Sequence, residues 1–390
     1  MVAPVFILAG EPSGDRLGAS LMRAITAHYG KKKWIGTGGP AMRAQGLRSH
    51  FPMEELTVFG FGAAVRAYPR LSQRLDMLVK LIVAEKPEII MTVDAKGFAV
   101  RLAERLRRDL AGTEAKPPII HTVAPTIWAW GNWRGNRFAH AFDGMLCLFP
   151  FEPDYLLPLG LDARFISHPE AFNPTYNIVG HAVGMPDPKA SPQLTLLPGS
   201  RRSEIDHLLD PMLAAISMLR DDIIDLKVHL PTLPHLDDRI SASIKASGLS
   251  GIITVRSDEG ALFAALANSH AIMATSGTVT LQSALFGVPG VVCYKAPALS
   301  AFIGRRLVRL DRVILPNALS DNEVYPFLFQ EEVQAASLYK AVRPLLTAGV
   351  ERQKARKTAL ANAANLRRIL CGNAASFEDN VAAAMVGWLK

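Results

Sequence analysis

Asp94 closes the apolar run Glu88-Ile-Ile-Met-Thr-Val93 and is followed by Ala95-Lys-Gly-Phe98. A carboxylate at the end of a buried strand can take a proton from an attacking hydroxyl, or it can cap the helix that follows. Pro198-Gly-Ser-Arg-Arg202 joins a glycine, a hydroxyl and arginine at a helix start. Guanidinium and backbone dipole favour the same charge there, which makes the segment a cradle for an anion. The plainer use of Arg201 is a pair with Glu204. Ala274-Thr-Ser-Gly-Thr-Val-Thr280 is a second small polar turn, suited to phosphates and a ribose or simply to capping a helix. Gly10-Glu-Pro-Ser-Gly-Asp15 lets backbone N–H groups approach a ligand, but it has neither dinucleotide nor phosphate-loop spacing. A tight strand-to-helix turn accounts for it equally well.

These segments need elements that hold them at one edge. Val5-Phe-Ile-Leu-Ala9 leads through the first glycine turn to a helix with Leu17, Leu21, Ala24 and Ile25 on one face. Trp34-Ile-Gly, Glu88–Val93, Ile119–Val123 and Gly144–Leu148 read as further strands with helices between them. After Gly184-Met-Pro-Asp-Pro-Lys-Ala-Ser-Pro192 a second series begins, with strands at Leu194–Leu197, Leu226–Leu230, Ile252–Val255, Ala271–Ala274 and Gly290–Tyr294. Its first helix carries Ile205, Leu208, Leu209, Met212, Leu213 and Ile216 at 3.6-residue spacing. Continuous apolar strands alternating with helices predict parallel sheets covered on both faces. The fold class is therefore α/β: two tandem Rossmann-like, doubly wound domains with a ligand cleft between them. The expected divisions are a domain over 1–183, a linker over 184–192, a domain over 193–365, and a C-terminal helix over 366–390 that caps the second half or crosses back to the first. Ligands in such sheets sit beyond the carboxyl ends of the strands, where all these turns fall.

Composition narrows the chemistry further. In 390 residues, 49% hydrophobic and 20% charged, no low-complexity tract argues for disorder. No apolar run reaches the ~20 residues of a membrane-spanning helix, and residues 2–9 lack the basic start of a secretory signal. The expected compartment is the cytosol. Cys147, Cys293 and Cys371 are far apart and read as small buried hydrophobes. Neither they nor the scattered histidines have the spacing of a metal site, so no metal is expected. The net charge of +8 is spread out, with local densities at Lys31–Lys33, Arg305-Arg306 and 352–368. It suits a phosphorylated substrate or an anionic surface, while no motif accompanies it that would indicate nucleic acid. Three tryptophans at Trp128, Trp130 and Trp133, beside Arg134 and Arg137, either pack in the core or stack on a sugar or acyl chain.

Together these segments resemble the lipid A disaccharide synthase family, glycosyltransferases of the two-Rossmann (GT-B) type. The resemblance runs in order through Ala9-Gly-Glu-Pro-Ser-Gly-Asp15, Gly38-Gly-Pro40, Met53-Glu-Glu-Leu56, Val93-Asp-Ala95 and Pro125-Thr-Ile-Trp-Ala-Trp130. It continues through Pro150-Phe-Glu152, Leu197-Pro-Gly-Ser-Arg201, Ser276-Gly-Thr278, Leu315-Pro-Asn317 and Gln330-Glu331. It implies an inverting transfer without metal or cofactor, moving 2,3-diacylglucosamine from UDP to the 6-hydroxyl of 2,3-diacylglucosamine 1-phosphate. By that likeness Asp94 matches the essential carboxylate, the base, and Gly199, Ser200 and Arg201 hold the donor diphosphate. Ser276, Gly277 and Thr278 line the nucleotide pocket, with Gln282, Asn317 and Gln330 at matching polar positions. Gly10, Glu11, Ser13, Gly14 and Asp15 form the acceptor-side loop. The lipid substrates imply a peripheral contact with the inner face of the cytoplasmic membrane, through Leu56–Val65 with Arg66, Tyr68 and Arg70, and a homodimer is left open.

The chain departs from the family in places. Gln282 replaces a glutamate, Phe327 stands where a glutamate follows the proline, Ile166-Ser-His-Pro169 replaces Val-Gly-His-Pro, and Lys96 replaces a proline-type residue. Gly131-Asn-Trp133 interrupts the tryptophan–arginine pattern. These departures keep two other readings in view: another UDP-sugar transferase or epimerase on the same scaffold, and a non-catalytic binder of nucleotide-sugar or lipid.

Overall fold

The computed structural model of the chain describes residues 3–56, 61–112, 116–127, 133–176, 191–295, 313–320 and 322–389, with only the backbone of 61–66 and 133–134. Residues 184–190 of the expected linker, Trp128 and Trp130, Arg305-Arg306 and residues 57–60 of the expected membrane-facing stretch lie outside the described residues, as do the side chains of Arg66, Trp133 and Arg134. The chain divides into two compact units, one of Met1–Phe172 with Leu370–Lys390, the other of Asn173–Ile369.

The first unit holds a seven-stranded sheet of β1 (Pro4–Ala9), β2 (Lys33–Thr37), β3 (Arg48–Ser49), β4 (Ile89–Val93), β5 (Ile119–Thr122), β6 (Gly144–Cys147) and β7 (Asp162–Phe165). All pairs are parallel, in the order β3-β2-β1-β4-β5-β6-β7. Every residue of β1 and β4 is buried, as strands covered on both faces require. Val5, Ile7 and Ala9 alternate onto one face, where they meet Leu17, Leu21, Met22 and Ile25 of the helix Pro12–Tyr29. Phe377, Val381 and Met385 of the helix Phe377–Met385 join the same core.

The second unit repeats the plan. β8 (Gln193–Leu197), β9 (Lys227–Pro231), β10 (Ile253–Arg256), β11 (Ala271–Thr275), β12 (Gly290–Tyr294) and β13 (Phe327–Phe329) form a parallel sheet in the order β10-β9-β8-β11-β12-β13. Its core joins Leu194, Leu196, Met273 and Val291 to the apolar stripe of the helix Arg202–Asp222, in which Ile205, Leu208, Leu209, Met212, Leu213 and Ile216 are all buried. Cys147 and Cys293 are buried free thiols, and burial pushes both up, Cys293 to about 12.

Counted from its own first strand, the second sheet has the order 3-2-1-4-5-6 and the first the same order with a seventh strand added, so each has one place where the order reverses. It lies between β1 and β4 in the first unit and between β8 and β11 in the second. β3, β7 and β13 were not expected. They are two to four residues long, too short to show a periodicity. Val123 was expected to end β5 but leaves the strand, because its backbone turns to φ 80°. Among the described residues no helix is long and apolar enough to cross a membrane.

Candidate functional site

At the reversal point of the first sheet, Ala9 pairs with Val93, which brings the residues after β1 beside those after β4. The approach is close. A Cβ on Gly10 would stand 2.9 Å from the Cβ of Ala95, and one on Gly14 would stand 3.7 Å from that of Asp94. Glycine at position 10 is therefore a requirement of packing. Gly14 opens the first turn of the helix Pro12–Tyr29, with Glu11 in extended N-cap conformation and Ser13 exposed.

Asp94 and Ala95 both lie in the left-handed region, at φ 52° and 45°. Each costs on the order of 1 kcal/mol or more for a residue with a Cβ, and such strain gathers at functional sites. The Asp94 N–H donates to the Thr122 carbonyl at 3.1 Å, which ties this turn to β5. The following helix, Lys96–Asp109, takes Ala95 as its N-cap with no side-chain capping bond, so the Asp94 carboxylate does not serve as a cap. It faces the Lys96 ammonium at 4.0 Å, and both groups are about one-third exposed.

Asp15 has a different task. Its Oδ1 accepts from the N–H groups of Gly39 at 2.8 Å and Met42 at 3.0 Å, and its Oδ2 accepts from Ala41 at 2.9 Å. The buried carboxylate thus caps the short helix Pro40–Ala44 from across the chain and fixes the Gly38-Gly39 turn beside the first loop.

Below Asp94 lies a buried polar layer. His121 is enclosed by Phe138 and Phe142, and its Nδ1 bonds the Thr92 hydroxyl at 2.7 Å. Burial, with Lys96 adding to it, pushes this imidazole down to about 3 and keeps it neutral. Glu152, after β6, accepts at one oxygen from the N–H groups of Leu148 and Phe149 at 2.9 and 3.0 Å. Burial pushes its carboxyl up to about 7, against those two bonds and the nearby Lys96.

The reversal point of the second sheet has the opposite electrical character. Gly199 has φ 128°, and a Cβ there would fall 2.6 Å from the Cβ of Glu204. The Glu204 Oε2 accepts from the N–H groups of Ser200 at 2.9 Å and Arg201 at 3.2 Å, while its Oε1 lies 3.4 Å from the Arg201 guanidinium. The buried carboxylate organises the loop from beneath, and the Arg201 side chain remains 59% exposed above it. The turn after β11 is opened by Ser276, whose hydroxyl donates to the Val313 carbonyl at 3.4 Å. Gly277 and Thr278 are exposed, with open space where a Gly277 Cβ would be. The Thr280 hydroxyl donates to the Gly277 carbonyl at 2.7 Å and ties down the first turn of the helix Thr278–Leu285, where the partly buried Gln282 lies one turn on.

Asn317 and Gln330 stand apart from these turns in sequence. Asn317 donates to the Tyr325 carbonyl and accepts from Val324 and Tyr325, so its amide staples the 322–326 loop. Gln330 is buried, with φ 55°, at the carboxyl end of β13. Three buried threonine hydroxyls, Thr37, Thr122 and Thr275, make no hydrogen bond among the described residues; each is the last residue of its strand. Of the seven non-glycine residues in left-handed backbone among the described residues, Asp94, Ala95, Val123, Ser167 and Gln330 follow the carboxyl ends of strands, while Lys86 and Asp225 precede strands at the other edge. A groove of about 490 Å³ lined by Asp76, Val79, Lys80, Val83 and Arg105 lies at the other end of the first sheet, beside helix C-termini, and holds none of these residues.

Two parallel, helix-covered sheets in tandem define the GT-B class. Solved structures agree on the fold. The chain is similar to Staphylococcus aureus MnaA in complex with UDP (TM-score 0.61, 13% identity, 93% of this chain and 92% of that one). It is also similar to Acinetobacter baumannii MurG (TM-score 0.55, 12% identity, 98% of each chain). Within that class, the model of the family described as lipid-A-disaccharide synthetase matches residues 5–381. Lipid-A-disaccharide synthase of Rhodospirillum centenum is 38% identical over 362 residues, 90% of this chain and 86% of the relative. That of Nitrobacter winogradskyi is 36% identical over 357 residues, 88% of this chain and 86% of the relative. The chain belongs to the lipid-A-disaccharide synthetase family.

Proposed function

We propose that the chain is a lipid-A-disaccharide synthase. It transfers 2,3-diacylglucosamine from UDP, with inversion, to the 6-hydroxyl of 2,3-diacylglucosamine 1-phosphate. The observation that carries the chemistry is the strained Asp94 turn beside the Gly10–Gly14 loop, which presents a carboxylate that caps no helix. Asp94 removes the proton from the acceptor hydroxyl as that oxygen attacks the anomeric carbon of the donor. The bond from that carbon to the diphosphate breaks, and UDP leaves with the electron pair. Gly199, Ser200 and Arg201 receive the diphosphate, the exposed guanidinium neutralising the charge that grows on it. Ser276, Gly277 and Thr278 line the nucleotide site, Gln282 meets the ribose through a neutral amide, Asn317 holds the 322–326 loop, and Gln330 stands at the carboxyl end of β13. Gly10, Glu11, Ser13 and Gly14 form the acceptor side, with Asp15 holding their neighbouring turn. A peripheral contact with the anionic inner face of the cytoplasmic membrane suits the net charge of +8 and the lipid substrates.

The purified chain, given UDP-2,3-diacylglucosamine and 2,3-diacylglucosamine 1-phosphate, is expected to release the disaccharide 1-phosphate and UDP in equal amounts. UDP binding without any disaccharide would replace this reading by that of a nucleotide-sugar binder. Co-sedimentation with anionic vesicles at low salt tests the membrane contact, and protein left wholly in the supernatant would remove it.

A further inference from the structure

We propose that Lys96 recognises the phosphate of the acceptor and so is a specificity-determining residue of the acceptor site. This rests on the reading of the chain as a transferase acting on a sugar 1-phosphate. The Lys96 ammonium stands 4.0 Å from the Asp94 carboxylate. The lysines that serve as structural ion pairs in the same unit sit much closer, Lys33 to Glu85 at 2.6 Å and Lys32 to Glu88 at 2.9 Å. Among the described residues Lys96 makes no such contact, and its side chain, one-third exposed, has ammonium donors to offer a ligand. Because Asp94 and Ala95 turn the chain through left-handed backbone, Lys96 follows at the carboxyl edge of the sheet, on the side where Asp94 presents its carboxylate.

Among the described residues neither of the titratable groups beneath, His121 and Glu152, takes a hydrogen bond from the Lys96 ammonium. His121 is neutral, and the Glu152 carboxyl is buried and bonded to the backbone of Leu148 and Phe149. The acceptor presents matching chemistry. Its hydroxymethyl group and its 1-phosphate flank the same ring oxygen, so one edge of the sugar offers a proton to a base and an anion to a cation. Asp94 and Lys96 offer those two partners side by side. The cation is a feature of this chain, since the family resemblance puts a proline-type residue at position 96.

The test is steady-state kinetics of the full chain with donor and acceptor in mixed micelles, paired with calorimetric titration of the acceptor alone. Lys96→Met is expected to raise the acceptor KM and its dissociation constant about tenfold or more, the size of a lost charge-assisted hydrogen bond. kcat should stay within about twofold, donor KM should not move, and Lys96→Arg should restore most of the affinity. With an acceptor lacking the phosphate, wild type and Lys96→Met should be indistinguishable. An unchanged acceptor KM in Lys96→Met overturns the proposal. So does a fall in kcat alone, which would mean that Lys96 acts through Asp94, or a rise in donor KM, which would assign the cation to the diphosphate. A wild type that forms no disaccharide and does not bind the sugar phosphate overturns the proposal together with the reading it rests on.

Discussion

The two reversal points are built on one topology and end in opposite chemistry. Between β1 and β4 the turns converge on a carboxylate, Asp94, held on strained backbone with a cation standing off at 4.0 Å. Between β8 and β11 they converge on an exposed guanidinium, Arg201, whose loop is wrapped around a buried carboxylate, Glu204. Glycine matters at both, for different reasons: Gly10 for the space occupied by Ala95, Gly199 for a φ of 128° as well as space. The order of strands decides where a ligand can meet the chain. The residue at each strand end decides whether that place takes a proton or receives an anion.

Exchanging the character of one point at a time breaks the comparison most sharply. Asp94→Asn keeps the shape and removes the base, so kcat should fall by about 10²–10⁴-fold while the dissociation constant for UDP stays within about twofold. Activity that survives would move the base elsewhere. Arg201→Ala should do the reverse at the second point, weakening UDP binding about 10–100-fold by titration, with the fold intact by circular dichroism. Gly199→Ala should weaken UDP by at least tenfold, since the new Cβ meets the Cβ of Glu204 in backbone that alanine resists. Glu204→Ala should weaken UDP only several-fold, because Arg201 loses its support but keeps its charge. A tighter complex would show that the carboxylate competes with the diphosphate.

A separate effect is expected on stability against pH. Glu152 has a folded value raised from 4.5 to about 7. Its stabilising contribution is therefore complete below about pH 4.5 and is lost as pH rises toward 7, by a few kcal/mol at most. Glu152→Gln should flatten the unfolding free energy between those limits relative to wild type, measured in urea at several pH values. Identical slopes would mean that the burial is relieved.

Much of this was legible in the sequence because it is local. The strands at both reversal points are continuous apolar runs, and Pro198-Gly-Ser-Arg shows its anion-binding character in four residues. Glu204 lies three residues from Arg201, close enough to suggest the pair, but that its carboxylate also takes two backbone N–H groups depends on the loop's conformation. The hydrogen bonds of Asp15 could not be read from its neighbours. Its partners begin 24 positions away at Gly39, and nothing near Asp15 marks them. Val123 looks like an ordinary strand residue, and only the structure shows that it has turned out of β5. His121 and Glu152 take their character from burial by other segments, which no local pattern encodes.

The first unit is completed by residues far from its beginning. Helix Phe377–Met385 lies against helix Pro12–Tyr29, Asn380 and the Cys371 carbonyl engage the hydroxyl of Ser167, and the Arg164 guanidinium sits 3.8 Å from the centre of the Trp388 ring. During synthesis on a ribosome, the flank of helix Pro12–Tyr29 that takes helix Phe377–Met385, with His28 and Tyr29 on it, therefore waits uncovered while roughly two hundred intervening residues emerge, at about 5–20 residues per second. The half that carries Asp94 is translated first and finished last. For some ten seconds or more it is a nascent domain with an open flank, the state in which a holding chaperone has most to do.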